Sequence, residues 1–169
     1  MMIVSDIDGS ILRALFKNAQ DQTDPIWLQA LASEPPFPWI DASGYPGATC
    51  FQQARLVVFI TGRGGHLKAL TETWIKANLR IEDFRVFYVG WINDEQYLAD
   101  KKQRYRDVID ECLTLRIGFP YEYIHVIEDD TRLVAWLVDE CEKRKMRATM
   151  VHQIVAGEHC IVYPQSLSC

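Results

Sequence analysis

The chain has 169 residues, 49% of them hydrophobic and 24% charged, which is the make-up of one soluble globular domain with a real core. Its net charge of -5 and pI near 5.3 argue against a basic nucleic-acid surface, so no stable nucleic-acid complex is expected. Five scattered cysteines, an odd number without a close pair, argue against a disulfide framework or a zinc knuckle; reduced thiols in a cytoplasmic setting are expected. No apolar run approaches the roughly 18 residues a membrane span needs, and Met1-Met2-Ile3-Val4 runs straight into an acidic segment, so no signal peptide is expected.

In chain order, Met2-Ile3-Val4 opens a strand that ends at Asp6. Residues 11–55 then break the rhythm with Pro25, Pro35, Pro36, Pro38 and Pro46. Prolines interrupt regular structure, so this stretch reads as a loop-rich insertion with one short helix near Ile26–Ala32. Its aromatics Trp27, Trp39 and Tyr45 either pack the insertion against the core or stack on a base. Leu56–Ile60 is a second buried strand, and Leu67–Leu79 has helical periodicity. Val86–Val89 reads as a short strand and Asp100–Leu115 as a helix with Tyr105, Val108 and Ile109 on one face. Tyr123–Ile127 is a strand, Thr131–Lys145 a helix, and Ala148–Val155 with His159–Tyr163 close the chain as strands. Short strands alternating with helices predict an α/β fold with a parallel sheet, in one domain over residues 1–169.

Four segments carry possible chemistry. The first is Asp6-Ile7-Asp8-Gly9-Ser10. A buried strand excludes unpaired charge, yet two carboxylates close this one, and side chains two apart start on the same side of a strand. The crevice beyond the carboxyl ends of strands is where open α/β sheets bind ligands. The bland alternative is a turn after an edge strand.

The second is Thr61-Gly62-Arg63-Gly64-Gly65, again at a strand end. Backbone N–H groups at the following helix start, with the Thr61 hydroxyl, suit phosphate oxygens. Arg63 either clamps a phosphate or pairs with an acid at the rim. No Lys-Ser/Thr follows the glycines, so the segment is not a Walker loop.

The third is Glu128-Asp129-Asp130. Clustered acids repel unless a cation or proton sits among them, and Mg²⁺ takes carboxylate oxygens while keeping waters and phosphate as further ligands. One of the aspartates would also serve as a helix cap. The fourth is Lys101-Lys102, expected at a helix start. Of the two, Lys101 has Tyr105 and Val108 at +4 and +7 and so faces the core.

Taken together and in this order, these segments closely resemble the motif set of the haloacid dehalogenase-like superfamily of phosphatases. The resemblance spans roughly residues 2 to 140. It implies a Rossmann-like three-layer sandwich with a sheet of order 5-4-1-2-3 and a small flap or cap inserted after the first strand. It also implies roles. Asp6 would be the nucleophile that forms an aspartyl-phosphate, and Asp8 the general acid and base. Thr61, Gly62, Arg63 and Lys101 or Lys102 would bind the phosphoryl group. Asp6, Asp8, Asp129 and Asp130 would serve the Mg²⁺ site. The implied activity is hydrolysis of a phosphate monoester on a small molecule or a nucleic-acid end; the alternative is a silent binding or regulatory protein of the same fold.

A narrower likeness lies in Leu15-Phe16, Pro25-Ile26-Trp27-Leu28, Phe37-Pro38-Trp39, Thr61-Gly62-Arg63 and Glu128-Asp129. These look like the phosphatase domain of Swiss Army Knife RNA-repair proteins, relatives of polynucleotide kinase-phosphatases. Asp130 stands where those relatives often carry arginine.

Overall fold

The computed structural model describes residues 1–14, 21–41, 48–114, 124–146 and 148–163. Its centre is β1 (Met2–Ser5), every residue of which is buried. Parallel neighbours flank it, β2 (Leu56–Thr61) on one side and β4 (Ile124–Glu128) on the other. β3 (Arg85–Tyr88) joins β2, and β5 (Thr149–Val155) joins β4, both also parallel. Central strands covered on both faces are mainly apolar, which explains Met2–Val4 and Leu56–Ile60, while the polar Ser5, Thr61 and Glu128 stand at the strand ends.

The full order is β3-β2-β1-β4-β5-β6, which differs from the expected 5-4-1-2-3. The sheet does not end at β5. The chain turns at Ala156-Gly157, both with positive φ, and returns as β6 (Glu158–Tyr163) antiparallel to β5. A two-residue turn of that hand matches the strand twist and favours a hairpin.

Alternation along the strands divides the core in two. Ile3, Val57, Phe59, Ile127 and Ile154 face one side, where they meet helix α4 (Lys68–Leu79) through Trp74, Ile75 and Leu79. Met2, Val4, Val58, Ile60, Val126 and Val151 face the other. There they meet α5 (Asp94–Thr114) and α6 (Thr131–Lys143) through Tyr105, Val108, Ile109, Val134 and Leu137.

The stretch expected to be loop-rich holds more helix than the prolines suggested. After a 3₁₀ turn at Asp21–Thr23 come α1 (Pro25–Ser33), α2 (Pro38–Asp41) and α3 (Ala48–Gln53). Pro25 and Pro38 open their helices, where a missing N–H costs nothing and a fixed φ helps. Asp24 caps α1 by accepting from the Ile26 amide at 2.8 Å. Leu31, Ile40 and Phe51 enter the same core as α4, with Trp27 and Trp39 packed against it. Trp74 Nε1 also donates to the Glu34 carbonyl at 2.7 Å. The described part of the insertion is thus a section of one helical layer. Tyr45 and the pair Leu15-Phe16 lie outside the described residues.

α5 begins at Asp94, earlier than the expected Asp100. Asn93 accepts from the Gln96 amide at 2.9 Å, and Asp94 and Glu95 occupy the first turn, where acids suit the helix dipole. Lys101 and Lys102 therefore lie inside the helix.

A row of three histidines crosses the β4–β5–β6 edge. His125 Nδ1 is 2.9 Å from His152 Nε2, and His152 Nδ1 is 2.7 Å from His159 Nε2. Among the described residues no helix is long and apolar enough to cross a membrane.

Candidate active site

Asp6 follows β1 directly, and its amide donates to the Ile127 carbonyl at 2.9 Å. The β1–β4 pairing thus continues one residue beyond the strand and sets Asp6 beside Glu128. By alternation its side chain shares the face of Met2 and Val4, toward α5. Here the side chains of Tyr97, Lys101 and Tyr105, spaced by one helical turn, reach the ends of β1 and β4.

Lys101 Nζ lies 3.1 Å from Asp6 Oδ2 and 2.9 Å from Glu128 Oε2, and its side chain is wholly buried. Tyr105 donates its hydroxyl to the same Glu128 Oε2 at 2.8 Å. The other Glu128 oxygen accepts from the amides of Asp129 and Asp130 at 3.1 and 3.2 Å. Glu128 is therefore a saturated hub. It fixes the lysine and shapes the turn after β4, a role no expectation assigned to it.

One carboxylate is not saturated. Asp6 Oδ1 is buried without a hydrogen-bond partner, while Asp6, Glu128 and Asp129 each offer an oxygen within 4.8 Å of the others. Asp129 accepts from the Ser10 hydroxyl at 3.2 Å. Three carboxylates thus meet one buried ammonium, so a fully ionised group would carry two negative charges in excess. Burial first, then Glu128, pushes the Asp129 carboxyl up to about 7. Burial, opposed by Lys101 and reinforced by Glu128, Asp129 and Asp8, raises Asp6 well above the usual range. Burial pulls Lys101 down, but Asp6 and Glu128 outweigh it and hold its pKa well above the usual value. An all-oxygen set whose carboxyls are raised by burial and mutual repulsion, with one orphaned oxygen, fits a divalent metal ion, which would favour their ionised forms.

Gly9 makes this approach possible. Its φ is +84°, and a Cβ built there would stand 2.0 Å from Asp129 Oδ2. A side chain at position 9 would displace the carboxylate of Asp129 from this place.

Asp8 takes a different partner from Asp6. Arg63 Nε donates to its Oδ2 at 2.7 Å and Arg63 Nη2 to its Oδ1 at 2.9 Å, while Nη1 donates to Thr71 Oγ1 at 3.0 Å. Such a planar fork is what a guanidinium does best with a carboxylate. Arg63 is almost fully buried, so it is the rim-pairing expectation for this residue that the geometry matches. Thr61 is buried at the end of β2, its hydroxyl accepting from the Arg63 amide at 3.3 Å.

Two further expectations meet a different arrangement. Lys102 points away from the acids, its ammonium 5.9 Å from the centre of the Trp136 ring. Asp130 lies outside the three-carboxylate group, capping α6 through the Arg132 amide at 2.9 Å and pairing with the Arg132 guanidinium at 2.7 Å. The helix start claims this acid, so the third carboxylate beside Asp6 and Asp129 is Glu128 and not Asp130.

Asp6, Asp8, Gly62, Arg63, Asp129 and Asp130 all border one open cavity of about 230 Å³. Gln22 of the insertion closes one wall, donating to the Gly62 carbonyl at 3.2 Å and accepting from the Gly64 amide at 2.6 Å. A second hollow of about 500 Å³ adjoins it across Asp129. No family model, curated protein or solved structure matches the chain.

Proposed function

We propose that the chain is a Mg²⁺-dependent phosphohydrolase that cleaves a phosphate monoester through an aspartyl-phosphate on Asp6. The observation that carries this reading is the buried, unpartnered Oδ1 of Asp6, set beside Asp129 while Lys101 holds the other oxygen. A structural carboxylate buried this deeply would have both oxygens satisfied.

Asp6 and Asp129 are the residues that would hold Mg²⁺, which when bound supplies positive charge for the phosphoryl oxygens. In the first step a carboxylate oxygen of Asp6 attacks phosphorus, and the bond to the leaving oxygen breaks. Asp8, having taken a proton, gives it to that oxygen. In the second step Asp8 accepts a proton from water, whose oxygen attacks phosphorus and frees Asp6 and inorganic phosphate. This divides one hard displacement into two easier ones. Lys101 favours the ionised form of Asp6 against its burial and would stabilise charge near the phosphoryl group. Arg63 orients Asp8, and one of the two hydrogen bonds between them must yield when Asp8 moves its proton. The substrate class is a phosphorylated small molecule or a nucleic-acid end.

Turnover of p-nitrophenyl phosphate tests this. The wild type should hydrolyse it with Mg²⁺ and stop in EDTA, and Asp6→Asn should lose about 10³-fold or more. Activity that survives in Asp6→Asn rejects the nucleophile.

A further inference from the structure

The loop after β3 delivers a side chain to the cavity that the steps above leave unused. Trp91 borders the same hollow as Asp6, Asp8 and Asp129. Its ring stacks on Tyr97, with centroids 5.5 Å apart and planes 24° apart. Tyr97 is itself held in place from two sides. A Cβ at Gly62 would stand 2.9 Å from its ring, and the Lys101 ammonium lies 5.3 Å from its centroid.

An ordered ladder results, running outward from the buried lysine to the tyrosine and then to the tryptophan. One ring face of Trp91 is taken by Tyr97, and the rest of the half-buried side chain belongs to the cavity wall and its mouth. The inner end of the cavity is acidic and suited to cation and phosphate, whereas this outer end is aromatic. A substrate whose phosphorus sits at Asp6 must lead its leaving group out past these walls.

We propose that Trp91 is a specificity-determining residue that stacks on a planar aromatic group in the leaving portion of the substrate. The proposal rests on the phosphohydrolase reading and narrows its substrates to phosphate monoesters of nucleosides or of aryl alcohols. Trp91 borders the same cavity as Asp6 and Asp129, so a leaving group that carries a planar ring would meet the indole on its way out. A preorganised aromatic platform suits any base, since every base has a π face.

The test compares kcat/KM on adenosine monophosphate, phenyl phosphate and glycerol 2-phosphate for the full chain with Mg²⁺, in the wild type, Trp91→Ala and Trp91→Phe. The preference for adenosine monophosphate over glycerol 2-phosphate should collapse by about 10- to 100-fold in Trp91→Ala, mostly through KM. Trp91→Phe should keep most of it. A collapse seen with phenyl phosphate alone identifies the aryl source. An equal fall on all three esters, or no change in preference, overturns the proposal. If the wild type hydrolyses none of the three, the phosphohydrolase reading fails. Calorimetry with adenosine monophosphate then decides on Trp91 separately: binding lost in Trp91→Ala supports the platform, and no binding to the wild type overturns it.

Discussion

Lys101 Nζ stands 3.1 Å from Asp6 Oδ2, and neither side chain has appreciable contact with water. An ammonium and a carboxylate meeting inside a core are costly to desolvate, and each depends on the other once there. This pair ties α5 to the end of β1, and Glu128 extends the tie to β4.

Removing the lysine should therefore unsettle the fold as well as the site. Lys101→Met leaves Asp6 and Glu128 facing each other without a cation and should destabilise by about 3–5 kcal/mol. Lys102→Met gives up only a contact with the Trp136 ring and should stay within about 1 kcal/mol of the wild type. Urea unfolding of the two variants measures the difference, and equal stabilities would contradict the placement of the lysines.

Gly9→Ala should separate fold from site. The positive φ makes any side chain there cost about 1–2 kcal/mol, and the new methyl must push the Asp129 carboxylate aside. The variant should remain folded by circular dichroism yet lose about tenfold or more in Mg²⁺ affinity, read by calorimetry. Unchanged affinity would remove Asp129 from the cation site.

Asp129→Asn should act in opposite directions with and without metal. Burial, then Glu128, pushes the wild-type carboxyl from its ordinary 3.8 up to about 7. A raised carboxyl pKa means its contribution is intact below the unfolded value and is lost as pH rises through the folded one. In EDTA at pH 8 the variant, free of that repulsion, should be more stable than the wild type by roughly 1–3 kcal/mol. With Mg²⁺ at 100 times its Kd, the wild type should gain about 2.7 kcal/mol and the variant almost nothing. Thermal unfolding in the two buffers gives both values, and a wild type indifferent to Mg²⁺ would contradict the charge argument.

Acid should loosen the β4–β5–β6 edge. Burial, helped by the N-terminal amine, pulls His125 from 6.5 down to about 4, and burial, then His125 and His159, lowers His152 as well. A depressed histidine pKa favours the neutral ring in the fold, so this stability is complete above 6.5 and lost as pH falls toward 4. For His125 the loss is at most about 3 kcal/mol. His125→Gln should be less stable than the wild type at pH 7, and the gap should narrow as pH drops to 4.5. A gap independent of pH in urea unfolding would count against buried neutral imidazoles.

Much of the site could be read from three strand ends. Asp6, Thr61 and Glu128-Asp129 each close a run of buried apolar residues, and polar groups placed there by a parallel sheet share one edge. Of the insertion's helices α1 was legible near Ile26–Ala32, whereas α2 was hidden because proline weighs against helix in its interior yet favours it at the first position. The early start of α5 was legible in Asn93-Asp94-Glu95, a cap followed by acids, but the apolar periodicity begins later and drew attention past it.

The α/β class and the parallel β1–β2 and β1–β4 core follow from the chain's own pattern, since runs such as Leu56–Ile60 can be satisfied only by burial on both faces. Tertiary structure alone decided which groups meet. That Lys101 and not Lys102 faces the core was legible in the helical spacing of Tyr105 and Val108, but that it meets Asp6 and Glu128 there was not. Glu128 joins the cluster while Asp130 leaves it to cap α6, and Arg63 turns to Asp8, because a charge in a folded protein goes to whichever partner packing brings within hydrogen-bond distance. Sequence spacing does not encode that distance.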